Sequence, residues 1–147
     1  MSSREEELRR AVAELQALRE LADSTRSRIN VIESLINELK AAGEAIKAIR
    51  EVGENAKILV PLGGDSFIRA RVEDVSKVLV GVGAGVVLEK DVEEALNYLG
   101  ERVAELEKIS MDLRKRLAEM LERIRESEER IRRMAGEARA GGGVRKT

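Results

Sequence analysis

Residues 58–90 read ILVPLGGDSFIRARVEDVSKVLVGVGAGVVLEK, and this stretch decides the fold. It is rich in β-branched residues, in short runs bounded by turn formers, which is the pattern of short strands. Ile58-Leu59-Val60-Pro61-Leu62 is the first predicted strand, and Gly63-Gly64-Asp65-Ser66 its turn. Phe67-Ile68-Arg69-Ala70-Arg71-Val72 follows, placing Ile68, Ala70 and Val72 on one face and Arg69 and Arg71 on the other. Glu73-Asp74-Val75-Ser76 turns again into Val78-Leu79-Val80-Gly81-Val82. Gly83-Ala84-Gly85 is a tight turn before Val86-Val87-Leu88-Glu89. The expectation is two β-hairpins, with Pro61 at an edge or irregular position because it cannot donate to a ladder.

Working outward, both flanks are helical, with apolar residues at the 3.5-residue spacing of a coiled coil. On the N-terminal side one heptad series is Leu8, Leu15, Ala22, Ile29, Ile36 and Gly43, and the other is Ala11, Leu18, Thr25, Ile32, Leu39 and Ile46. Ten of these twelve positions are apolar. A helix of this length spans roughly 75 Å at 1.5 Å per residue. On the C-terminal side, Asp91 and Glu94 make a capping-box-like start. The series there are Leu96, Val103, Ser110, Leu117, Ile124, Ile131 and Val92, Leu99, Leu106, Leu113, Met120, Ser127, Met134, eleven of thirteen apolar. The expected divisions are 1–55, a first coil helix; 56–90, the hairpins; 91–136, a second coil helix; and 137–147, a Gly-rich flexible tail.

A short β insert returns the chain to where it left, so the helices should run antiparallel, with facing residue numbers adding to about 146. Gly43, Thr25, Ser110 and Ser127 are the small or polar seam members expected to fix register. Four short strands cannot cover their own edges or core. They should join strands of other subunits in a barrel-like body. The fold class is therefore mainly α with a small β part: a long antiparallel two-helix coiled coil joined by two hairpins that assemble into an oligomeric β-barrel.

Composition excludes much chemistry. Of 147 residues, 37% are charged and 1% aromatic, as suits long helices rather than a compact globule. There is no Cys and no His, which removes thiolate and imidazole as nucleophile, base or metal ligand. Twenty-seven basic residues balance 28 acidic ones, and no segment is strongly basic, so no nucleic-acid partner is expected. Gly81-Val82-Gly83-Ala84-Gly85 lacks the spacing of a phosphate loop. Neither a secretory signal nor a membrane span is readable, which gives the expectation of a soluble cytoplasmic protein with no membrane partner and no cofactor. Abundant ion-pair residues without Cys or His would suit a thermophile.

The helix, the "LVPLG" and "VGVGAGVVLEKD" segments and the second helix together resemble an archaeal-type prefoldin alpha subunit, over residues 4 to about 136. Two hairpins rather than one mark the alpha class in that family. The resemblance implies a jellyfish-shaped hexamer of two alpha and four beta subunits. Its coil tips would hold unfolded polypeptide and hand it to a group II chaperonin without ATP. The residues expected to meet clients are Leu8, Val12, Leu15 and Leu18 with Ile124, Ile131 and Met134, through fraying of the terminal heptads. Those expected to build the β body are Leu59, Val60, Phe67, Ile68, Ala70, Val72, Val78, Val80, Val82, Val86 and Leu88. The competing reading is an architectural coiled-coil scaffold that binds no clients.

Overall fold

The computed structural model describes the backbone of residues 3–145 and the side chains of residues 3–139. The element order is α1 (Ser3–Val52), β1 (Lys57–Gly63), β2 (Ser66–Arg71), β3 (Lys77–Gly83), β4 (Val86–Asp91) and α2 (Val92–Arg145). β1 pairs antiparallel with β2 and β3 with β4, as two separate two-stranded sheets. The chain divides into two compact units, one made of Met1–Glu33 with Lys108–Thr147, the other of Ser34–Glu107.

In both units the seam is where the heptads put it. None of the twelve expected positions on α1, nor of the thirteen on α2, is exposed. Ala11, Leu15, Ala22, Ile29, Leu113 and Ile124 are buried in the unit holding the chain's ends. Ile36, Val92, Ala95 and Leu106 are buried in the other. The helices are antiparallel. Arg19 meets Glu128 at 3.3 Å and Glu33 meets Arg114 at 3.1 Å in the first unit; Lys40 meets Glu107 at 3.2 Å in the second. Partner numbers in each of these pairs add to 147, against the expected 146. Such exposed ion pairs contribute about 0–1 kcal/mol each, so the apolar seam carries the association and the charges trim its register.

The two buried polar seam members, Thr25 and Ser110, are satisfied rather than orphaned. Thr25 Oγ donates to the Leu21 carbonyl at 2.8 Å, the back-bond a helical threonine uses when buried. Ser110 Oγ donates to Glu33 Oε1 at 2.7 Å, and Arg114 closes the triangle on the same oxygen. That bond crosses between the helices, so it depends on their register. Gly43 is different. A Cβ there would meet nothing within 4 Å, so no close approach of the helices requires glycine.

α1 ends at Gly53, whose φ of +88° is the left-handed turn that glycine accepts without strain, and whose N–H bonds the Ile49 carbonyl at 3.1 Å. The strands run about a residue longer than the run of β-branched residues. Lys57↔Arg71 and Lys77↔Asp91 extend the two ladders, so Asp91 belongs to β4 and its carboxylate pairs with Lys77. That hydrogen bond raises the Lys77 ammonium above its ordinary range. In the link between hairpins, Ser76 Oγ and N–H both donate to Asp74, holding its carboxyl below the usual range. The turn's stabilisation is therefore present at neutral pH and lost as pH falls through that lowered value.

The two hairpins superimpose in sequence by a shift of 20. Lys57, Leu59, Val60, Gly63 and Val72 recur as Lys77, Leu79, Val80, Gly83 and Val92. The ladder registers, the irregularities at Pro61/Gly63 and Gly81/Gly83, and the closing bonds Val72 N–H to Ala56 O and Val92 N–H to Ser76 O all repeat at that interval. So do the turns, with positive φ at Gly64 and Asp65 and again at Ala84 and Gly85, the two-residue geometry that matches strand twist.

The expected tail is corrected. α2 does not stop at Gly136 but continues to Arg145. Glu137–Ala140 are strong helix formers that outweigh Gly136, which costs about 1 kcal/mol relative to alanine; the residue propensities do not account for the run through Gly141–Gly143. Residues 1, 2, 146 and 147 lie outside the described residues.

Two glycine substitutions should move stability in opposite directions, read as urea midpoints at fixed protein concentration. Gly43→Ala is expected to stabilise by about 0.5–1 kcal/mol, since the helical position is open. Gly83→Ala, at φ +110° with equally open surroundings, is expected to destabilise by about 1–2 kcal/mol through backbone strain alone.

Candidate functional site

The hairpins carry an unusual amount of bare apolar surface. Leu59, Phe67, Ile68, Val86 and Leu88 are exposed, at 63%, 57%, 53%, 49% and 45%, and Val60 is at the threshold with 36%. Ala70, Val72, Val78 and Val82 are half-buried. Val80 is buried within the chain, which assigns it to the chain's own packing and leaves little of it to offer a partner. Leu62, Leu79 and Val87 are exposed as well. The sequence reading leaves them out because on the second hairpin it takes only even-numbered residues, whereas Leu79 and Val87 stand on the other face, and because Leu62 adjoins the turn. Patches of this kind mark interaction surfaces.

On the odd-numbered face of the first hairpin lie Leu59 and Phe67 with Lys57, Arg69 and Arg71; the same face of the second bears Leu79 and Val87 with Lys77, Glu89 and Asp91. Cross-strand neighbours share a face. Lys57 therefore stands opposite another cation, Arg71, where the equivalent pair in the second hairpin is an ion pair.

The expected client-binding residues all fall in the unit that holds the chain's ends, but in three different states. Leu15 and Ile124 are buried and form a core cluster with Ala22; Leu18 and Ile131 pack against it together with Leu117 and Met120. Leu8 and Met134 are half-buried. Val12 is off the seam and 47% exposed, one residue past the heptad position Ala11. Fraying is therefore not what would reveal Val12, and that part of the expectation is corrected: it is open already. For the buried pair, Leu15 and Ile124, any outside contact requires the seam to part. The penalty is the burial given up, about 1.5–3 kcal/mol for a large aliphatic side chain taken from fully buried to exposed. Leu21 and Leu121 are exposed in the same unit and also lie off the heptad positions.

Among the described residues no group of three or more acidic side chains is placed to hold a metal ion, and no helix is long and apolar enough to cross a membrane.

The profile of the family described as "Prefoldin subunit" matches residues 18–137. The chain belongs to the prefoldin family. It is 36% identical over 113 residues to the prefoldin subunit alpha of Methanopyrus kandleri, an overlap of 77% of this chain and 72% of that one. It is 34% identical over 120 residues to the prefoldin subunit alpha of Methanocorpusculum labreanum, covering 82% and 79%. Among solved structures, a filamentous PFD from Methanocaldococcus jannaschii aligns with a TM-score of 0.67 and 27% identity, over 76% of this chain and 93% of that one. The chain is thus a prefoldin chaperone subunit and not an enzyme, and prefoldin subunits work as oligomers with other prefoldin subunits.

Burial separates the candidate residues energetically. Ile124→Ala is expected to lower stability by about 2–4 kcal/mol by opening a cavity in the cluster with Leu15 and Ala22. Val12→Ala should change it by less than about 0.5 kcal/mol. Thermal unfolding followed by circular dichroism at one protein concentration checks both.

Proposed function

We propose that the chain is the alpha subunit of a cytoplasmic, ATP-independent holdase of two alpha and four beta subunits, whose hairpins join those of its partners in a β-barrel body. It captures unfolded polypeptide with the terminal stretch of its coiled coil and passes it to a group II chaperonin. The observation that carries this reading is the combination, in one prefoldin-family chain, of bare apolar hairpins with a terminal coil cluster of only three buried residues, Leu15, Ala22 and Ile124.

The physical logic is as follows. An unfolded client displays apolar side chains at unpredictable positions, so a fixed pocket would serve few clients, whereas loosely held aliphatic and Met side chains adapt to many. Leu8, Leu18, Ile131 and Met134 are partly covered, so exposing them to a client costs less than exposing a fully buried residue. Several such sites in one hexamer raise overall affinity through effective concentration while each remains individually weak. Release to a chaperonin then needs no nucleotide, only competition for the same apolar segments. Arg130, Arg132 and Arg133 border this region, which keeps it hydrated and favours acidic client segments.

Light scattering of a denatured client, with the chain reconstituted with its beta partner, tests the reading against a plain scaffold. The intact complex is expected to suppress aggregation, and a version lacking residues 1–20 and 125–147 to lose most of that suppression while keeping its hexameric mass. Undiminished aggregation with the intact complex, or full protection by the trimmed one, would show that the coil ends hold no client.

A further inference from the structure

Two polar side chains are buried in the seam, and they spend their hydroxyls in opposite ways. Thr25, 4% exposed, donates within its own helix to the Leu21 carbonyl and reaches across the seam only to the Met120 sulfur, at 3.8 Å. Ser110, 3% exposed, donates across the seam to Glu33 Oε1 at 2.7 Å. Arg114, one helical turn on, donates to the same oxygen at 3.1 Å through Nη2 and to Ser110 Oγ at 3.4 Å through Nε. The Ser110 hydroxyl is thus donor and acceptor at once, and both bonds to the carboxylate are charge-assisted.

Position gives the contrast its meaning. Glu33 is the last α1 residue of the unit that holds the chain's ends, and on α2 that unit begins at Lys108. Outward of the triangle the seam holds the small side chains of Ala22 and Thr25, the cluster of Leu15 and Ile124, and the partly covered Leu8, Leu18, Ile131 and Met134. The Arg19–Glu128 pair there is exposed on both sides and adds little. At the triangle, parting the helices breaks two charge-assisted bonds together and also uncovers Ile29 and Leu113. The same three residues reject a slipped seam. A shift of one heptad in either direction replaces Glu33 by a cation, Arg26 or Lys40, opposite Arg114.

We infer that the Glu33–Ser110–Arg114 triangle is a stop: when the coil parts for a client, the opening runs from the chain's ends past Thr25 and halts there. This rests on the holdase reading and adds to it how much of the seam one client receives. From Leu8 to Thr25 the seam extends about 26 Å at 1.5 Å per residue, the length of an extended client stretch of about eight residues. The unit that one coil accepts is therefore a short, extended apolar segment rather than a collapsed domain. Because the register is kept at the stop, the helices close again in step when the client leaves.

The chain has no cysteine, so spin labels can be placed at chosen pairs alone. Arg19→Cys with Glu128→Cys reports outward of the triangle, and Lys40→Cys with Glu107→Cys reports inward of it. Distances are read by double electron–electron resonance in the full-length chain reconstituted with a cysteine-free beta partner, with and without reduced, carboxymethylated lactalbumin as the unfolded probe. Circular dichroism confirms that each variant is helical. The probe is expected to lengthen the outer distance and leave the inner one unchanged. With Ser110→Ala or Glu33→Ala added it should lengthen both, and Glu33→Gln, which keeps an acceptor for the Ser110 hydroxyl, should open the inner pair less than Glu33→Ala. An inner pair that opens without these substitutions overturns the proposal, as does one that stays closed with them. A second arm omits the probe. Low urea should open the outer pair before the inner, and Ser110→Ala should raise the inner pair's opening constant about tenfold, the loss of a hydrogen bond to a charged group. If lactalbumin moves neither distance, the holdase reading is what fails, and the urea arm decides the stop: an inner constant unchanged by Ser110→Ala overturns it.

Discussion

A two-stranded sheet satisfies one row of backbone hydrogen bonds and leaves two rows open, and both sheets of this chain are two-stranded. The rest of the β region follows from that constraint. With no third strand and no helix laid over the outer faces among the described residues, side chains such as Leu59, Phe67, Leu79 and Val87 remain in water, at roughly 25 cal/mol for every Å² of apolar surface not covered. A chain built this way is incomplete alone. The stabilisation it forgoes as a monomer is what makes association favourable, and family membership agrees with that economy.

The coiled coil meets the opposite demand. Its seam must hold α1 and α2 together over many heptads, yet on the proposed holdase reading its terminal stretch parts for a client. The residues reconcile these by gradation. Ile29, Ile36, Leu106 and Leu113 are large, aliphatic and buried, whereas the positions nearest the chain's ends, Leu8, Ile131 and Met134, are only half covered. Ala11 and Ala22 are buried but small, so they contribute little area. The Glu33–Ser110–Arg114 triangle anchors the register further along the coil, so the ends can loosen without the helices sliding past one another.

Much of this was legible in the sequence because coiled coils and hairpins are short-range codes. A 3.5-residue repeat and a Gly-rich turn between β-branched runs need no knowledge of distant residues, which is why the seam, its antiparallel register and both hairpins were readable. The misses share a cause: each depends on something the period does not encode. Val12 is apolar but one step off the seam, so its hydrophobicity alone misplaced it. Gly43 sits on a seam position, yet no neighbour comes near enough to require it. The helix passes Gly136 because Glu137–Ala140, good helix formers, outweigh that glycine. The repeat of 20 went unnoticed because few positions are identical and the charges invert; its backbone geometry, with matched registers and turn dihedrals, makes it plain.

That doubling makes the β region modular. Ala56 and Ser76 accept the same closing bond at the same step, from Val72 and Val92. Excision of residues 57–76 would join Ala56 directly to Lys77 and put the Ala56 carbonyl where that of Ser76 now receives Val92. Both helices would then be bridged by a lone hairpin without a new junction having to be invented. Two-hairpin and one-hairpin chains are, on this geometry, separated by one interchangeable cassette.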